Sequence, residues 1–253
     1  MHRFYLPPAQ FSASPLTLGG DEFHHLAQVL RTQTGDRLTV FDGRGNEMHC
    51  SVVARDQRTV ALRPLQRTHT DPLPYSITLA QALPKGSAMD LIVEKATELG
   101  ARTIQPLFSD RSVVKLSSTE ANKKQERWRQ ISIEACKQCG NNWLPEIAPL
   151  KTVADFLRSP VNYDLKLIGS LQPDARPLRQ LITESSSHYS PLTPSSTLLL
   201  IGPEGDFTPA ELAAAKTVGC APLSLGPLIL RSETAAIAAL AMLGYELSLT
   251  SRK

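Results

Sequence analysis

The chain has 253 residues, of which 42% are hydrophobic, and its formal net charge is +3 at pH 7. A chain of this length and composition is typical of a soluble globular protein with one large or two modest domains. The four cysteines are too few and too scattered for a disulfide framework, and a net charge this small identifies no partner by itself.

The sequence predicts neither a signal peptide nor a membrane span. The N-terminal MHRFYLPPAQF has no apolar core before Pro7 and Pro8 interrupt it. The longest strongly apolar segment, residues 235–243, falls well short of the length that crosses a bilayer. We therefore expect a cytoplasmic protein with no membrane partner.

The first part of the chain predicts short strands around one helix. Apolar or alternating runs occur at RFYL, RLTVFD, EMHCSVVA and TVALRPL, and the DGRG sequence at 42–45 predicts a hairpin turn. Helical spacing in DEFHHLAQVLR predicts a helix capped by Asp21. The expected assembly is a small β-barrel with one helix.

Residues 1–67 contain eight arginines and no lysine. Planar guanidinium groups favour bidentate contacts with phosphates or base edges, although surface solubility alone produces the same count. Arg31 and Arg44 are the candidates for such contacts. His25 is predicted to be buried or to face a nucleic acid, because the adjacent His24 points about 100° away and cannot readily share a metal ion with it.

A proline-containing stretch, THTDPLPYS at 68–76, has no periodic pattern and predicts a linker, with domains at 1–71 and 72–253. After it, SITLAQAL predicts a strand that ends near Lys85. A helix capped by Ser87 and ended by Gly100 follows, and TIQPLF returns as a strand, which completes a βαβ unit.

Residues 118–139 predict a long helix with a basic first half that includes Arg127. Arginine beside tryptophan can bind nucleic acid, but the amphipathic Trp128 is expected to anchor the core instead. Cys136 and Cys139, near the end of this helix, lack a second CxxC or HxxxH pair. They are therefore predicted to be reduced thiols, and no metal site is expected.

Three predicted strands end in glycine loops. YDLKLIGS ends at Gly169, the apolar run 198–201 ends at Gly202, and the run 221–225 ends at Gly226. Between the last two lies a helix with a capping box, formed by Thr208 and Glu211, and a Gly stop. In open parallel sheets, ligands bind outside the carboxyl ends of the strands, although each loop alone could be a simple tight turn.

The sequence GPEGDFTPAEL, followed by LSLGPLILRSETAAIAAL, resembles the signature of the SPOUT superfamily of knotted S-adenosylmethionine-dependent RNA methyltransferases. More narrowly, the chain resembles the ribosomal RNA small subunit methyltransferase E family. This resemblance covers nearly the full chain, since HHLAQVLR, FDGRG, KGSAMDLIVEKATELGARTIQPLFSDRSVV and EACKQCGNNWLPEI also match.

The resemblance implies an α/β fold in which a parallel sheet, flanked by helices, forms a trefoil knot after an N-terminal PUA-like β-barrel that grips RNA. It implies methylation of N3 of a uridine in the decoding region of 16S ribosomal RNA, with S-adenosyl-L-methionine as cofactor and the small ribosomal subunit as partner. The cofactor-binding residues implied are Ile168, Gly169, Ile201, Gly202, Pro203, Gly205, Leu225, Gly226, Leu230 and Thr234.

Three residues are candidates for the chemistry. Arg231 would stabilise negative charge on the uracil oxygens once N3 loses its proton, and Glu204 or Glu233 would orient Arg231 or take the proton. The alternative is an Arg–Glu pair that only ties the last loop to the final helix.

The resemblance also makes Lys85, Arg111 and Lys115 candidate phosphate contacts, with ordinary solvated charges as the alternative. Asn141 stands where relatives commonly carry arginine, and it or Asn142 is expected to hydrogen-bond a nucleotide. Leu228 is a second departure, at a position where relatives often carry a basic residue.

The final helix, SETAAIAALAMLGYELSL, is apolar on nearly all sides, which is typical of a buried helix. Because SPOUT relatives form homodimers, a homodimer is expected. Two other functions stay open: a SPOUT ribose 2′-O-methyltransferase that acts on tRNA or rRNA, and a non-catalytic RNA-binding ribosome assembly factor. The LGPLILRSETA loop and the N-terminal barrel favour the base methyltransferase.

Overall fold

The structure is a computed structural model that describes residues 2–24, 26, 33–112, 116–159, 162–186 and 195–250. The chain forms two compact units. The first comprises Met1–Pro72 with Ile133–Leu144, and the second comprises Leu73–Ser132 with Pro145–Lys253.

In its described residues, the first unit is a five-stranded sheet with two short helices and the end of a longer one. Its elements are β1 (Arg3–Tyr5), α1 (Pro8–Phe11), β2 (Leu16–Gly19), α2 (Gly20–His24), β3 (Arg37–Phe41), β4 (Asn46–Arg55) and β5 (Thr59–His69). The strand order is β1-β3-β4-β5-β2, with β1 and β3 parallel and the other pairs antiparallel. The inward side chains of all five strands form one apolar cluster, as expected for a small curled sheet.

The sequence patterns predicted only some of the elements of this unit. The helix α1, which begins with Pro8 at its first position, and the strand β2 were both missed. The helix α2 begins at Gly20, one residue before the predicted cap Asp21. Short elements of this kind contain too few residues for a period to be recognised.

The second unit is a parallel sheet with helices on both faces. Its elements are β6 (Ser76–Ala82), α3 (Ala88–Glu98), β7 (Thr103–Phe108), α4 (Ser118–Cys139), β8 (Glu146–Ile147), β9 (Lys151–Thr152), α5 (Val153–Arg158), β10 (Leu165–Gly169), β11 (Arg176–Pro177), α6 (Leu178–Ser186), β12 (Ser196–Ile201), α7 (Pro209–Thr217), β13 (Ala221–Ser224) and α8 (Ser232–Thr250). The last seven residues of α4 belong to the first unit.

The strands of this sheet follow the order β11-β13-β10-β12-β6-β7-β8, and β9 also pairs with β7. All the described pairs are parallel. Alternate residues of a strand enter different apolar clusters, as Leu199 and Leu200 of β12 do, so both faces of the sheet are covered. The predicted parallel sheet flanked by helices is confirmed, while the trefoil knot stays a prediction.

Local signals set several helix ends as predicted. Thr208 and Glu211 form the complete capping box of α7, and Gly219 follows that helix with φ of 89°. Gly140 follows α4 with φ of 79°. The prediction for Ser87 was wrong in one respect, because Ser87 lies at the N-cap of α3 but its side chain makes no capping hydrogen bond.

Trp128 of α4 is 2% exposed and belongs to the core of the second unit, which confirms its predicted role as an anchor. Among the described helices, none is long and apolar enough to cross a membrane.

Candidate functional site

A cavity of about 640 Å³, measured to include its open mouth, lies at the carboxyl ends of β10, β12 and β13. Its lining comes from 169–171 after β10, from 201–204 with Asp206 after β12, from Leu225, Gly226 and 228–230 after β13, and from Ser232 and Ala235 of α8.

The three strand ends meet because β10 pairs in parallel with both β12 and β13. Ile168 is opposite Leu200 on one side, and Gly169 is opposite Leu223 on the other. Parallel strands bring their carboxyl ends to the same edge of the sheet, so the three loops that follow them are neighbours. The loops that the sequence predicted separately therefore enclose one site.

Two glycines let the backbone pack closely at this edge. A Cβ on Gly169 would lie 3.0 Å from Ile201 Cδ1, and a Cβ on Gly202 would lie 3.2 Å from Asp206 Oδ1. Side chains at these positions would crowd the wall of the cavity. A flat or elongated ligand can thus approach the main-chain amides and carbonyls at these two glycines.

The loop at 202–207, which we call the Gly202 loop, is held at several points. The amide of Asp206 donates to the carbonyl of Pro203 at 2.9 Å, and Asp206 itself has φ of 59°, which a short polar side chain tolerates. Phe207 is 1% exposed and anchors the end of the loop in the core.

Neighbouring loops also hold the Gly202 loop. The Glu204 carboxylate accepts a hydrogen bond of 2.9 Å from the amide of Lys85, and the Arg111 guanidinium donates to the carbonyl of Gly205 at 2.6 Å. These contacts join it to the loops that follow β6 and β7.

A buried hydrogen-bonded junction lies beside the cavity. The Ser232 hydroxyl donates to the carbonyl of Gly202 at 2.6 Å and accepts from Gln81 Nε2 at 2.9 Å. Gln81 is fully buried, and Ser232 is 4% exposed. Sequence reasoning missed Gln81, although a glutamine within the apolar strand sequence SITLAQAL was a usable signal.

Most of the predicted cofactor-binding residues surround the cavity. Those in its lining are Gly169, Ile201, Gly202, Pro203, Leu225, Gly226 and Leu230. The other three are placed elsewhere: Ile168 is packed in the core, a Cβ on Gly205 would face the Arg111 side chain, and Thr234 is exposed on α8. Ser170, Leu171, Asp206 and Ile229 line the cavity without having been named as cofactor contacts.

The three candidate catalytic residues are not joined to one another. Glu204 lines the cavity, whereas Arg231 and Glu233 are not part of its lining. Arg231 is exposed, and within the described residues its guanidinium has neither a hydrogen-bond nor an ion-pair partner. The expected Arg–Glu pair, whether orienting or merely structural, is therefore not formed in this structure.

The candidate RNA contacts of the second unit are exposed. Lys85 and Arg111 flank the Gly202 loop, while Arg127 makes two hydrogen bonds, of 2.7 and 3.1 Å, to one oxygen of Asp90. Trp128 Nε1 donates to the other oxygen of Asp90 at 3.2 Å.

In the first unit, Arg44 is exposed but Asn142 is only 6% exposed. The side-chain amide of Asn142 accepts a hydrogen bond from Arg3 at 2.6 Å and donates one to Thr70 at 3.0 Å. Both its oxygen and its nitrogen are therefore bonded within the first unit. Asn141 accepts from the amide of Trp143 at 2.9 Å. Asn142 is thus buried with both ends of its amide bonded, whereas Asn141 is half-buried, and the nucleotide contact expected of one or the other stays a prediction.

Three other candidates, His25, Arg31 and Lys115, lie outside the described residues. Leu228, at the second departure from the family pattern, is 73% exposed at the rim of the cavity.

The cysteines are placed as ordinary thiols. Cys50, Cys136 and Cys220 are buried, and burial raises the pKa of the Cys136 thiol to about 12. The thiolate is the form that binds metals, so such a group is a poor ligand at neutral pH. In the part of the chain that the structure describes, no cluster of three or more His, Cys, Asp or Glu side chains could hold a metal ion.

Comparison with known families matches both parts of the chain. A family model described as an RNA methyltransferase domain matches residues 71–244, and one described as an RNA methyltransferase PUA domain matches residues 18–65.

Individual relatives match over almost the whole length. Ribosomal RNA small subunit methyltransferase E of Bacillus subtilis (strain 168) is 32% identical, over 98% of each chain. The protein of that name from Synechocystis sp. is 34% identical, over 96% of this chain and 77% of its own.

Solved structures agree with this. That of ribosomal RNA small subunit methyltransferase E from Neisseria gonorrhoeae, bound to S-adenosyl methionine, has a TM-score of 0.83 at 31% identity and covers 97% of this chain and 98% of its own. A Legionella pneumophila protein in complex with bound SAM has a TM-score of 0.86 at 35% identity, over 96% of this chain and 97% of its own.

Proposed function

Because the chain belongs to the ribosomal RNA small subunit methyltransferase E family, we propose that it methylates N3 of a specific uridine in the decoding region of 16S ribosomal RNA, with S-adenosyl-L-methionine as methyl donor. The observation that carries the proposal is the cavity that the loops after β10, β12 and β13 enclose together. We assign RNA gripping to the PUA-like domain at 1–71 and methyl transfer to the domain at 72–253, of which Ile133–Leu144 belongs to the first unit.

The lining of the cavity suits the proposed donor. S-adenosyl-L-methionine supplies an electrophilic methyl carbon attached to a sulfonium sulfur. The loops at Gly169, Gly202 and Gly226 would hold it through main-chain groups, and Leu225 and Leu230 would pack against its apolar parts. Thr234, Ile168 and Gly205 are left out of this set because they do not line the cavity.

The uracil N3 of the target base carries a proton at neutral pH and has no lone pair suited to attack. The protein must therefore remove this proton and hold N3 in line with the methyl carbon, so that the new N–C bond forms as the C–S bond breaks. A uridine in structured RNA would leave its stack to reach the cavity. Arg231 would stabilise the negative charge that develops on the uracil oxygens.

Glu204 is the better candidate for the proton acceptor. It lines the cavity, and its carboxylate is fixed by the amide of Lys85 while one oxygen stays available. Glu233 does not line the cavity, and it lies in the first turn of α8, where a negative charge stabilises the helix end. We therefore assign proton removal to Glu204 and a structural role to Glu233.

Exposed cations would contact the RNA backbone. Lys85 and Arg111 flank the loop that lines the cavity, and Arg127 and Arg44 are exposed elsewhere in the chain. Arginine and lysine side chains neutralise phosphates and position a nucleic acid without reading its sequence. Lys115, Arg31, His25 and Asn142 complete the set of proposed RNA contacts.

We also propose a homodimer in the cytoplasm. Leu228 and Ile229 on the loop after β13 are 73% and 81% exposed, and Met242 and Tyr245 on one side of α8 are also exposed. Exposed apolar side chains that lie together on one surface mark interaction sites.

The test combines methyl transfer with analysis of the product. The protein is incubated with labelled S-adenosyl-L-methionine and small ribosomal subunits that lack the modification, and the RNA is then digested to nucleosides for mass spectrometry. N3-methyluridine is the expected product. A 2′-O-methylated nucleoside would assign the chain to ribose methylation instead, and no incorporation with intact RNA binding would make it an assembly factor.

A further inference from the structure

We propose that Gln81 and Ser232 are positioning residues for the methyl donor, which act by fixing the Gly202 carbonyl and with it the Gly202 loop. The inference rests on the proposed function, because it assumes that the cavity binds S-adenosyl-L-methionine. Neither side chain is assigned to touch the donor or the base.

The hydrogen bonds of this junction run in one direction. A hydroxyl has one proton to donate, and that of Ser232 is committed to the Gly202 carbonyl at 2.6 Å. Gln81 Nε2 supplies the complementary hydrogen to the Ser232 oxygen at 2.9 Å, and its second hydrogen goes to the carbonyl of Ala82 at 2.8 Å. The glutamine amide thus orients the serine hydroxyl toward the loop.

Burial makes the junction stiff. Gln81 has no exposed surface and Ser232 is 4% exposed, so water cannot easily take the place of either partner. Gln81 is also opposite Ile201 in the register of β6 and β12, which gives it a rigid base in the sheet. The Gly202 carbonyl is therefore tied to both the sheet and the first residue of α8.

The junction is next to both the proposed donor site and the proposed charge-stabilising arginine. Gly202 and Ser232 line the cavity, and Arg231 directly precedes Ser232 in the chain. A shift of Ser232 would move the donor loop and the backbone of the proposed charge-stabilising arginine together. Small displacements of this kind are costly in catalysis because reacting atoms must be aligned.

The stability of the fold does not by itself explain why position 81 is a glutamine. Its Oε1 is buried and has no hydrogen-bond partner among the described residues. A buried amide oxygen without a partner destabilises a fold, and an apolar side chain of similar shape would avoid this. The hydrogen bond that the Gln81 amide donates to Ser232 accounts for an amide at this position.

The neighbouring strand offers a matched control. Gln105 of β7 is 4% exposed and donates to the carbonyl of the next residue, Pro106, at 2.8 Å, as Gln81 does to Ala82. Its other hydrogen goes to the carbonyl of Pro149 at 2.7 Å, not to a residue that lines the cavity. Gln105→Met therefore reproduces the loss of a buried glutamine without disturbing the junction.

The experiment compares Gln81→Met, Gln105→Met, Ser232→Ala and Ser232→Thr with the parent protein. Thermal unfolding ranks their stability, calorimetry without RNA gives the Kd for S-adenosyl-L-methionine, and hydrogen exchange in ligand-free protein reports the amides of the Gly202 loop. We expect Gln81→Met and Ser232→Ala to raise Kd about fivefold to tenfold, as for one lost hydrogen bond, and to speed exchange in the loop. Gln105→Met should change neither, and Ser232→Thr should keep parental affinity because it keeps the hydroxyl.

Equal Kd values and equal loop exchange for Gln81→Met and Gln105→Met would overturn the inference while leaving the proposed function intact. If Gln81→Met does not fold, Ser232→Ala compared with Ser232→Thr decides the matter in the same way. Failure of the folded parent protein to bind the donor at all would instead overturn the proposed function, and this inference with it.

Discussion

At the scale of single residues, the exposed and unpaired state of Arg231 suits a group that must meet a substrate. Within the described part of the chain, no carboxylate neutralises its guanidinium, so its full charge is available to an oxyanion. A donor that stabilises charge developing in the transition state typically contributes a factor of about 10² to 10³ in rate.

Arg231→Ala is expected to lower turnover by about 10²-fold, with little change in the Kd for S-adenosyl-L-methionine, because the side chain does not line the cavity. Methyl incorporation into unmodified small subunits under saturating donor measures the change. Arg179→Ala, at another exposed arginine, is the control and should keep parental turnover. Parental turnover in folded Arg231→Ala would remove Arg231 from the chemistry.

Two substitutions at Glu204 separate its proposed roles. Glu204→Gln keeps an acceptor for the Lys85 amide but cannot take a proton, so turnover should fall by about 10²-fold or more at unchanged donor affinity. Glu204→Ala should also weaken donor binding, because the loop loses its tie. Single-turnover kinetics and calorimetry distinguish the two effects, and a fully active Glu204→Gln protein would shift the assignment to Glu233.

At the scale of secondary-structure elements, the N-terminus of α7 is attached to the rest of the second unit by one carboxylate. Glu211 is 8% exposed, accepts from the amide and the hydroxyl of Thr208, and also accepts from the Ser109 hydroxyl and the Asp110 amide. It therefore completes the capping box and joins α7 to the turn after β7.

Glu211→Ala is expected to lower the free energy of unfolding by about 2–4 kcal/mol, because it removes the cap and leaves buried donors unsatisfied. Urea unfolding followed by circular dichroism measures the loss. The control is Glu126→Ala, at an exposed position of α4, which should change stability by less than about 0.5 kcal/mol. A similar loss in both variants would contradict the role given to Glu211.

The starts of β10 and β12 are joined by Asp164. Its carboxylate accepts hydrogen bonds from the hydroxyls and amides of Ser195 and Ser196. These bonds, with the Ser195 hydroxyl foremost, hold the pKa of Asp164 below its usual value of 3.8. The carboxylate thus stabilises the fold above that value, and the contribution is lost as the pH falls through the lowered pKa.

Asp164→Asn should therefore lower the Tm near neutral pH, and the difference from the parent should shrink as the pH falls through the lowered pKa of the parental carboxylate. Thermal scans at several pH values test this. Asp71→Asn, whose side chain is 96% exposed, is the control and should follow the parent throughout. A Tm difference that does not depend on pH would contradict the electrostatic explanation.

At the scale of the whole molecule, the proposed homodimer predicts a mass twice that of one chain in light scattering at micromolar concentration. Met242→Asp with Tyr245→Asp should give a folded monomer, since both side chains share one side of α8. Leu65→Asp, at an exposed apolar position of the first unit, should leave the mass unchanged. A monomeric parent would refute the proposal.

The sequence predicted those parts of the fold that depend on residues close together in the chain. The capping box of α7 and the bounds of α4 depend on residues close together in the chain, and the structure has both where the sequence placed them. The Gln81–Ser232 hydrogen bond joins residues 151 positions apart, and no pattern along the chain records such a pair. Three predicted strand ends could be grouped into one site only because parallel strands share an edge.

The membership of Ile133–Leu144 in the first unit has a consequence for dissecting the chain. A fragment ending at Pro72 would be deprived of Asn142, to which Arg3 donates, and of Trp143, whose ring nitrogen donates to the Thr70 carbonyl. Expressed alone, such a truncation should remain largely unstructured or aggregate, whereas supplying the missing dodecapeptide in trans should rescue it. The N-terminal module is thus discontinuous in the gene, and recombination at the apparent linker would not transplant it.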